Sequence, residues 1–218
     1  MKFVDIGSSN TLTPINENFT TEEHMEYVLA AIHKAWKLIL RYENPQKISH
    51  KIKQPPLSEL SEDDLKRKIV LNICQKFEDS LEGRSYSVSA EEQLTGAEPD
   101  IVLGVRTSKV SVKLDIECKK SKNDLHSAKQ YRSEGVERFT SNKYDRSGHN
   151  VGGMIAFALN DENNRLDDII RNLRDATDIN RIAIFSTSFD GSQMFISEHQ
   201  RTATHHTIRI RHLVLNCR

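Results

Sequence analysis

The sequence predicts a single α/β domain with a mixed central sheet. Stretches with helical apolar spacing alternate with stretches of period two, and in the middle of the chain their order reads α-β-β-β-α-β. About a quarter of the 218 residues are Leu, Ile, Val or Phe, above the roughly 20% below which a packed core becomes doubtful. The expected division is an N-terminal helix and connector over residues 1–60, packed on a main domain over residues 61–218 that ends in C-terminal strands.

After a polar start, Met25, Val28, Leu29, Ile32, Trp36, Ile39 and Leu40 recur at helical spacing behind the capping candidates Thr20 and Thr21. Pro45, Pro55 and Pro56 then mark a connector. A second helix opens at Ser61, with Asp64 at its third position, and carries Leu65, Ile69, Ile73, Phe77 and Leu81 up to Gly83. Period two follows, with strands expected around Tyr86 and Val88, at Ile101–Val105 and at Lys109–Lys119, the last two joined by a hairpin turn at Arg106–Ser108. Asp124–Phe139 returns to helical spacing, and Met154–Leu159 reads as a buried strand. A helix near Leu166–Leu173, a strand at Ile182–Ser186, a hairpin at Asp190-Gly191 and a strand at Thr207–Leu215 complete the pattern.

The longest apolar runs, Tyr27–Ile32 and Met154–Leu159, are six residues each, far from the roughly 20 that span a bilayer. No basic, apolar leader is visible in the first residues, and Cys74, Cys118 and Cys217 stand at wide spacings with no CxxC, so the expected setting is a reduced, cytoplasmic one. Lys and Arg together number 31, as do Asp and Glu, which argues against coating nucleic acid by bulk charge. Locally, however, Lys119–Arg146 carries eight bases against four acids. Such a stripe suits a polyanion, and equally suits an ordinary solvated face.

The strand at Lys109–Lys119 alternates. Val110, Val112, Leu114, Ile116 and Cys118 lie on one face, and Lys113, Asp115, Glu117 and Lys119 on the other. A charged strand face ordinarily turns to solvent, and substitution on such a face is expected to spare the fold. The preceding strand begins Glu98-Pro99-Asp100, and a tight hairpin sets the start of one strand beside the end of its partner, bringing Asp100 towards Glu117 and Lys119. Two acids beside a lysine suit a hard metal ion.

Pro99-Asp100, followed after sixteen residues by Glu117-Cys118-Lys119, resembles the PD-(D/E)XK motif of restriction-endonuclease-like nucleases, and its placement resembles their αβββαβ core over Ser61–Leu159. The resemblance implies a metal-dependent endonuclease acting on DNA. Asp100 and Glu117, helped by the backbone carbonyl of Cys118, would hold Mg²⁺, for which Mn²⁺ could substitute, and Lys119 would orient the attacking water. It also implies an acid on the preceding helix. Glu62 lies on the apolar stripe there, although a first-turn acid serves the helix dipole equally well and Asp63 and Asp64 compete for the role. By the same resemblance Gln130 is a candidate cleft residue, and Lys120, Lys122, Lys129, Arg132 and Lys143 are candidate phosphate contacts. Glu134 through Met154 is also similar to bacterial restriction-like proteins, some attached to phage-defence systems. The resemblance leaves room for a helicase or ATPase partner subunit and for a homodimer. The alternatives are a catalytically silent nucleic-acid-binding or scaffold subunit, and a nuclease acting on RNA or branched DNA.

Other motifs point elsewhere less well. His199, His205, His206 and His212 read as solvated or structural, because neighbours on a strand face opposite ways. Gly152-Gly153 lacks the Lys-Ser/Thr of a phosphate-binding loop, and no GxSxG elbow appears. Cys118 is expected to be buried and inert.

Overall fold

A computed structural model describes residues 20–42, 55–70, 86–89, 99–106, 111–122, 124–141, 143–144, 150–159, 162–175, 181–189, 192–202 and 204–217. Helix α1 (Thr21–Tyr42) starts in a capping box, in which the Glu23 amide donates to Thr20 Oγ1 and the Thr20 amide to Glu23 Oε2. A short 3₁₀ turn at Leu57–Glu59 leads to α2 (Glu62–Ile69), where Ser61 Oγ accepts the Asp64 amide. The expected continuation of this helix to Gly83 lies, beyond Val70, outside the described residues.

Strands β1 (Tyr86–Ser89), β2 (Ile101–Arg106) and β3 (Ser111–Ser121) form an antiparallel run. The expected turn between β2 and β3 lies, after Arg106, outside the described residues. β3 ends at Ser121 rather than at Lys119, so Lys120 belongs to the strand. Next comes α3, which is α-helical over Leu125–Gln130, widens to a π-helix over Tyr131–Val136 and closes as α-helix over Glu137–Thr140. Its N-cap is Asp124, whose carboxylate accepts the Ser127 amide. The π turn inserts one residue into the helical repeat, burying Tyr131, Gly135 and Val136. β4 (Val151–Ala158), α4 (Glu162–Asp175), β5 (Arg181–Phe189), β6 (Ser192–Gln200) and β7 (Thr207–Asn216) follow. The expected Asp190-Gly191 hairpin falls on residues outside the description, between β5 and β6, which pair antiparallel up to Phe189↔Ser192.

The protein is thus α/β, with one seven-stranded mixed sheet in the order β1-β2-β3-β4-β7-β6-β5. β3, β4 and β7 run parallel at its centre, and both faces there are covered. On one face Met25, Leu29, Ile32 and Trp36 of α1 pack with Leu65 and Ile69 of α2 on Ile116, Cys118, Ile155, Phe157 and Leu213. Trp36 Nε1 also donates to the Asn216 carbonyl. On the other face Tyr131, Val136 and Phe139 of α3 and Ile169 and Leu173 of α4 pack on Met154, Ala156, Ile210 and Val214. Alternation along β4 explains why that strand reads as an unbroken apolar run: it buries both sets. Gly152 and Gly153 let the layers close. A Cβ at Gly152 would stand 2.7 Å from the Phe139 ring, and one at Gly153 would stand 2.9 Å from Met25 Sδ.

No helix among the described residues is long and apolar enough to cross a membrane. β6, whose span the sequence pattern leaves unmarked beyond the hairpin expected at Asp190-Gly191, buries Ser197 and His199, and such polar inward positions conceal its period of two. These residues belong to a buried chain. Tyr131 Oη lies 2.8 Å from His212 Nδ1, Ser197 Oγ lies 2.7 Å from His212 Nε2, and Ser197 Oγ also lies 2.7 Å from His199 Nε2. His212 stacks on Phe195 with ring centroids 4.1 Å apart. The chain ties α3 to β6 and β7, so His199 and His212 are structural, while His205 and His206 are exposed.

Burial, reinforced by nearby His199, holds the His212 imidazole well below its ordinary pKa. The unfolded chain therefore takes up a proton near pH 6.5 that the folded chain refuses, and stability falls as pH drops below that value. The expected outcome is a urea midpoint that falls more steeply between about pH 7.5 and about pH 5 in the wild type than in His212→Gln.

Candidate functional site

The β2–β3 register brings the expected acids together. Ile101 pairs with Ile116, and continuing that register by one residue sets Asp100 opposite Glu117. The Asp100 carboxylate fixes the arrangement, since its Oδ2 accepts the Cys118 amide at 2.7 Å. Lys119 stands on the Glu117 side of β3, with its Nζ 2.9 Å from Glu117 Oε1. Cys118 faces the opposite way into the core, where burial, with the Asp100 and Glu117 charges adding to it, pushes its thiol pKa well up. It is buried, as expected.

The charged face of β3 is not solvated along its length. Lys113 is exposed, but the Glu117 side chain is 0% exposed and Asp100 is buried with it. The premise that this face is unpacked, on which the expectation that substitution spares the fold rests, is therefore corrected: α3 and the segment after it cover the end of that face. Tyr144 Oη donates to Glu117 Oε2 at 2.5 Å, and Arg138 Nη1 stands 3.1 Å from Glu117 Oε1 and donates to Tyr144 Oη at 2.8 Å. Burial raises the Glu117 pKa, as does the charge of Asp100, while Lys119 and Tyr144 oppose the rise. Burial works against the Lys119 ammonium, but Glu117 and Glu62 outweigh it and its pKa ends above the ordinary lysine value.

Helix α2 supplies the other wall. Glu62 Oε2 accepts the Lys120 amide at 2.7 Å and its Oε1 lies 3.5 Å from Lys119 Nζ, so this residue does join the cluster. Of its two competitors, Asp64 is occupied at the helix cap with Ser61, and Asp63 pairs with Lys66 at 2.8 Å. Lys66 also bonds Asp100 Oδ1 at 2.9 Å. The sequence reading missed Lys66 and Tyr144 and gave Arg138 no role at the acids. Lys66 had a signal, being one turn beyond Glu62 on the same helix, whereas Arg138 and Tyr144 reach Glu117 only through the tertiary fold.

The remaining candidates separate. Gln130 is half-buried on α3 and takes no part in the bonds that join the acids. Lys120 is not a surface cation, because it is half-buried and its Nζ donates to the Leu60 carbonyl at 2.6 Å, clasping the start of α2. Lys122, Lys129 and Lys143 are exposed, and Arg132 is half-buried.

Among the described residues, no group of three or more His, Cys, Asp and Glu is arranged to hold a metal ion. Asp100, Glu117 and the Cys118 carbonyl nevertheless suit a hard cation in kind, all being oxygen donors. Glu117 Oε1 is buried and accepts no aligned hydrogen bond, although two cations flank it, which leaves a lone pair to offer. In donor chemistry, though not as a ready-made cluster of three acids, these residues suit such an ion.

The chain matches no protein-family model, no curated protein and no solved structure with which it was compared.

Tyr144→Phe removes the hydroxyl that serves Glu117 and Arg138 together, leaving a buried carboxylate oxygen short of a donor. The expected cost is about 1–3 kcal/mol. Urea unfolding of the two single variants and the double variant checks this, since the penalty should shrink in a Glu117→Gln background if it arises at that carboxylate.

Proposed function

We propose that the protein is a metal-dependent endonuclease that hydrolyses phosphodiester bonds in DNA, with α2, β1–β3, α3 and β4 as a restriction-endonuclease-like core. The observation that carries this reading is the convergence of Asp100, Glu117 and Lys119 at the end of one strand pair, with Glu62 alongside. Asp100, Glu117 and the Cys118 carbonyl would hold the ion. A divalent cation there supplies charge neutralisation at the phosphoryl oxygens and a bound water of lowered pKa.

The chain's own groups do the rest. Lys119, whose pKa is raised, stays an ammonium at neutral pH, so it orients water and offsets charge gathering on the phosphoryl group but does not act as a general base. Arg138, steadied by Tyr144, keeps a second cation beside Glu117. Exposed Lys122, Lys129 and Lys143 would meet backbone phosphates. DNA is the substrate class that the motif's resemblance favours.

One observation favours a second reading, a catalytically silent nucleic-acid-binding subunit: Asp100 and Glu117 are already matched by Lys66, Lys119 and Arg138. Mg²⁺-dependent cleavage of linear, circular and single-stranded DNA and of RNA separates the two. Wild type should cut DNA, and Glu117→Gln and Lys119→Ala should each lose at least about a hundredfold in rate. Full cleavage by either variant places the chemistry elsewhere, and no cutting by wild type on any substrate leaves the silent reading. DNA affinity gives a separate check on the basic face. Reversing Lys122, Lys129 and Lys143 together should flatten the slope of log affinity against log salt by about 0.9 for each duplex phosphate that is no longer neutralised.

A further inference from the structure

Resting on the metal-site reading above, we propose that Lys66 is a displaceable counter-ion of that site. Its ammonium holds Asp100 when no divalent cation is bound and withdraws to Asp63 when one binds.

The argument begins with the two oxygens of Asp100. Oδ2 is committed to the Cys118 amide at 2.7 Å, a backbone bond fixed by the β2–β3 pairing. Oδ1 is the exchangeable one, and Lys66 Nζ holds it at 2.9 Å. An ion bound to Oδ1 at about 2.1 Å would stand against that ammonium as a like charge in a site where little water screens it. One of the two cations has to yield.

Lys66 has somewhere to go. The same Nζ lies 2.8 Å from Asp63 Oδ1, one turn back towards the N-terminus of its own helix. The Asp63 side chain is 76% exposed, against 13% for Lys66 and 1% for Asp100. Asp63 therefore offers a solvent-exposed partner at the rim, already within reach, on which the ammonium can settle without crossing the core. No comparable exit serves Lys119, whose carboxylate partners Glu117 and Glu62 both belong to the cluster.

A lysine that merely clamps α2 to β2 would predict the opposite behaviour, because losing a clamp loosens the site and weakens metal binding. The test is titration of the full chain with Mn²⁺, followed by electron paramagnetic resonance, with Glu117→Gln defining the site. Lys66→Met should bind Mn²⁺ about tenfold more tightly than wild type. Its melting temperature should be lower than wild type's without metal and should rise more on adding Mn²⁺. Asp63→Asn, which removes the exposed partner and leaves Lys66 with Asp100 at 2.9 Å and Glu62 at 4.0 Å, should weaken binding by more than Asp64→Asn, an equal charge change on the same turn without a Lys66 contact. These two variants keep the test open if Lys66→Met fails to fold.

Glu117-dependent binding that Lys66→Met leaves unchanged or weakens overturns the proposal and leaves the metal site standing. So does an equal effect of the Asp63 and Asp64 substitutions. Absence of Mn²⁺ binding in wild type and Lys66→Met alike removes the metal site itself, and this inference with it. Binding by Lys66→Met alone supports the proposal in its strongest form.

Discussion

The pairing of β2 with β3 is the constraint on which the site depends. Asp100 and Glu117 face one another only because Ile101 and Leu103 meet Ile116 and Leu114 in the register that sends all four into the core beneath α1. A slip of one residue would turn those side chains out and the acids in towards the apolar layer, so burial of the hydrophobic set polices the position of the charged one. The Cys118 amide, bonded to Asp100, completes the lock at the point where the ladder ends.

That placement buries charge, and the surrounding helices answer it. A wholly buried carboxylate such as Glu117 is costly unless cations and donors meet it. β3 contributes Lys119 from the same strand face, α3 brings Arg138, the segment after it brings Tyr144, and α2 brings Lys66 to Asp100. Each group comes from a different piece of chain, which makes the cluster a fastening between elements. Partial compensation leaves Glu117 with its pKa raised and one oxygen without an aligned donor. A fold built for stability alone would favour packing such a position with an apolar side chain.

Much of this is legible in the sequence. Helical spacing locates α1 and the start of α2, period two locates β2 and β3, and the hairpin argument places Asp100 beside Glu117. Glu62 follows from counting residues around α2. What the sequence conceals has physical causes. The burial of Glu117 depends on what lies over the strand, and alternation cannot distinguish a solvated face from one covered by Tyr144 and Arg138. Lys120 reads as part of a basic surface because its bond to the Leu60 carbonyl is made across the fold. The π turn in α3 is invisible to a fixed helical repeat, and β6 hides its period behind Ser197 and His199. The resemblance to a nuclease motif names residue types and order, and says nothing of Lys66.

The two sides of the cluster are held with unequal firmness, and that difference bears on what each can do. α3 is anchored at several depths: Tyr131 bonds His212, Phe139 lies over Gly152, and Gly135 is packed so closely that a Cβ there would run into the Met154 methyl. Arg138 and Lys119 therefore sit on a backing that resists displacement. α2 buries Leu65 and Ile69 but carries Lys66 at the rim between an exposed and a buried carboxylate. Rigid cations beside Glu117 and a movable one beside Asp100 give the acidic pair unequal neighbours. Asp100 is then the partner whose surroundings can rearrange, while Glu117 keeps its setting.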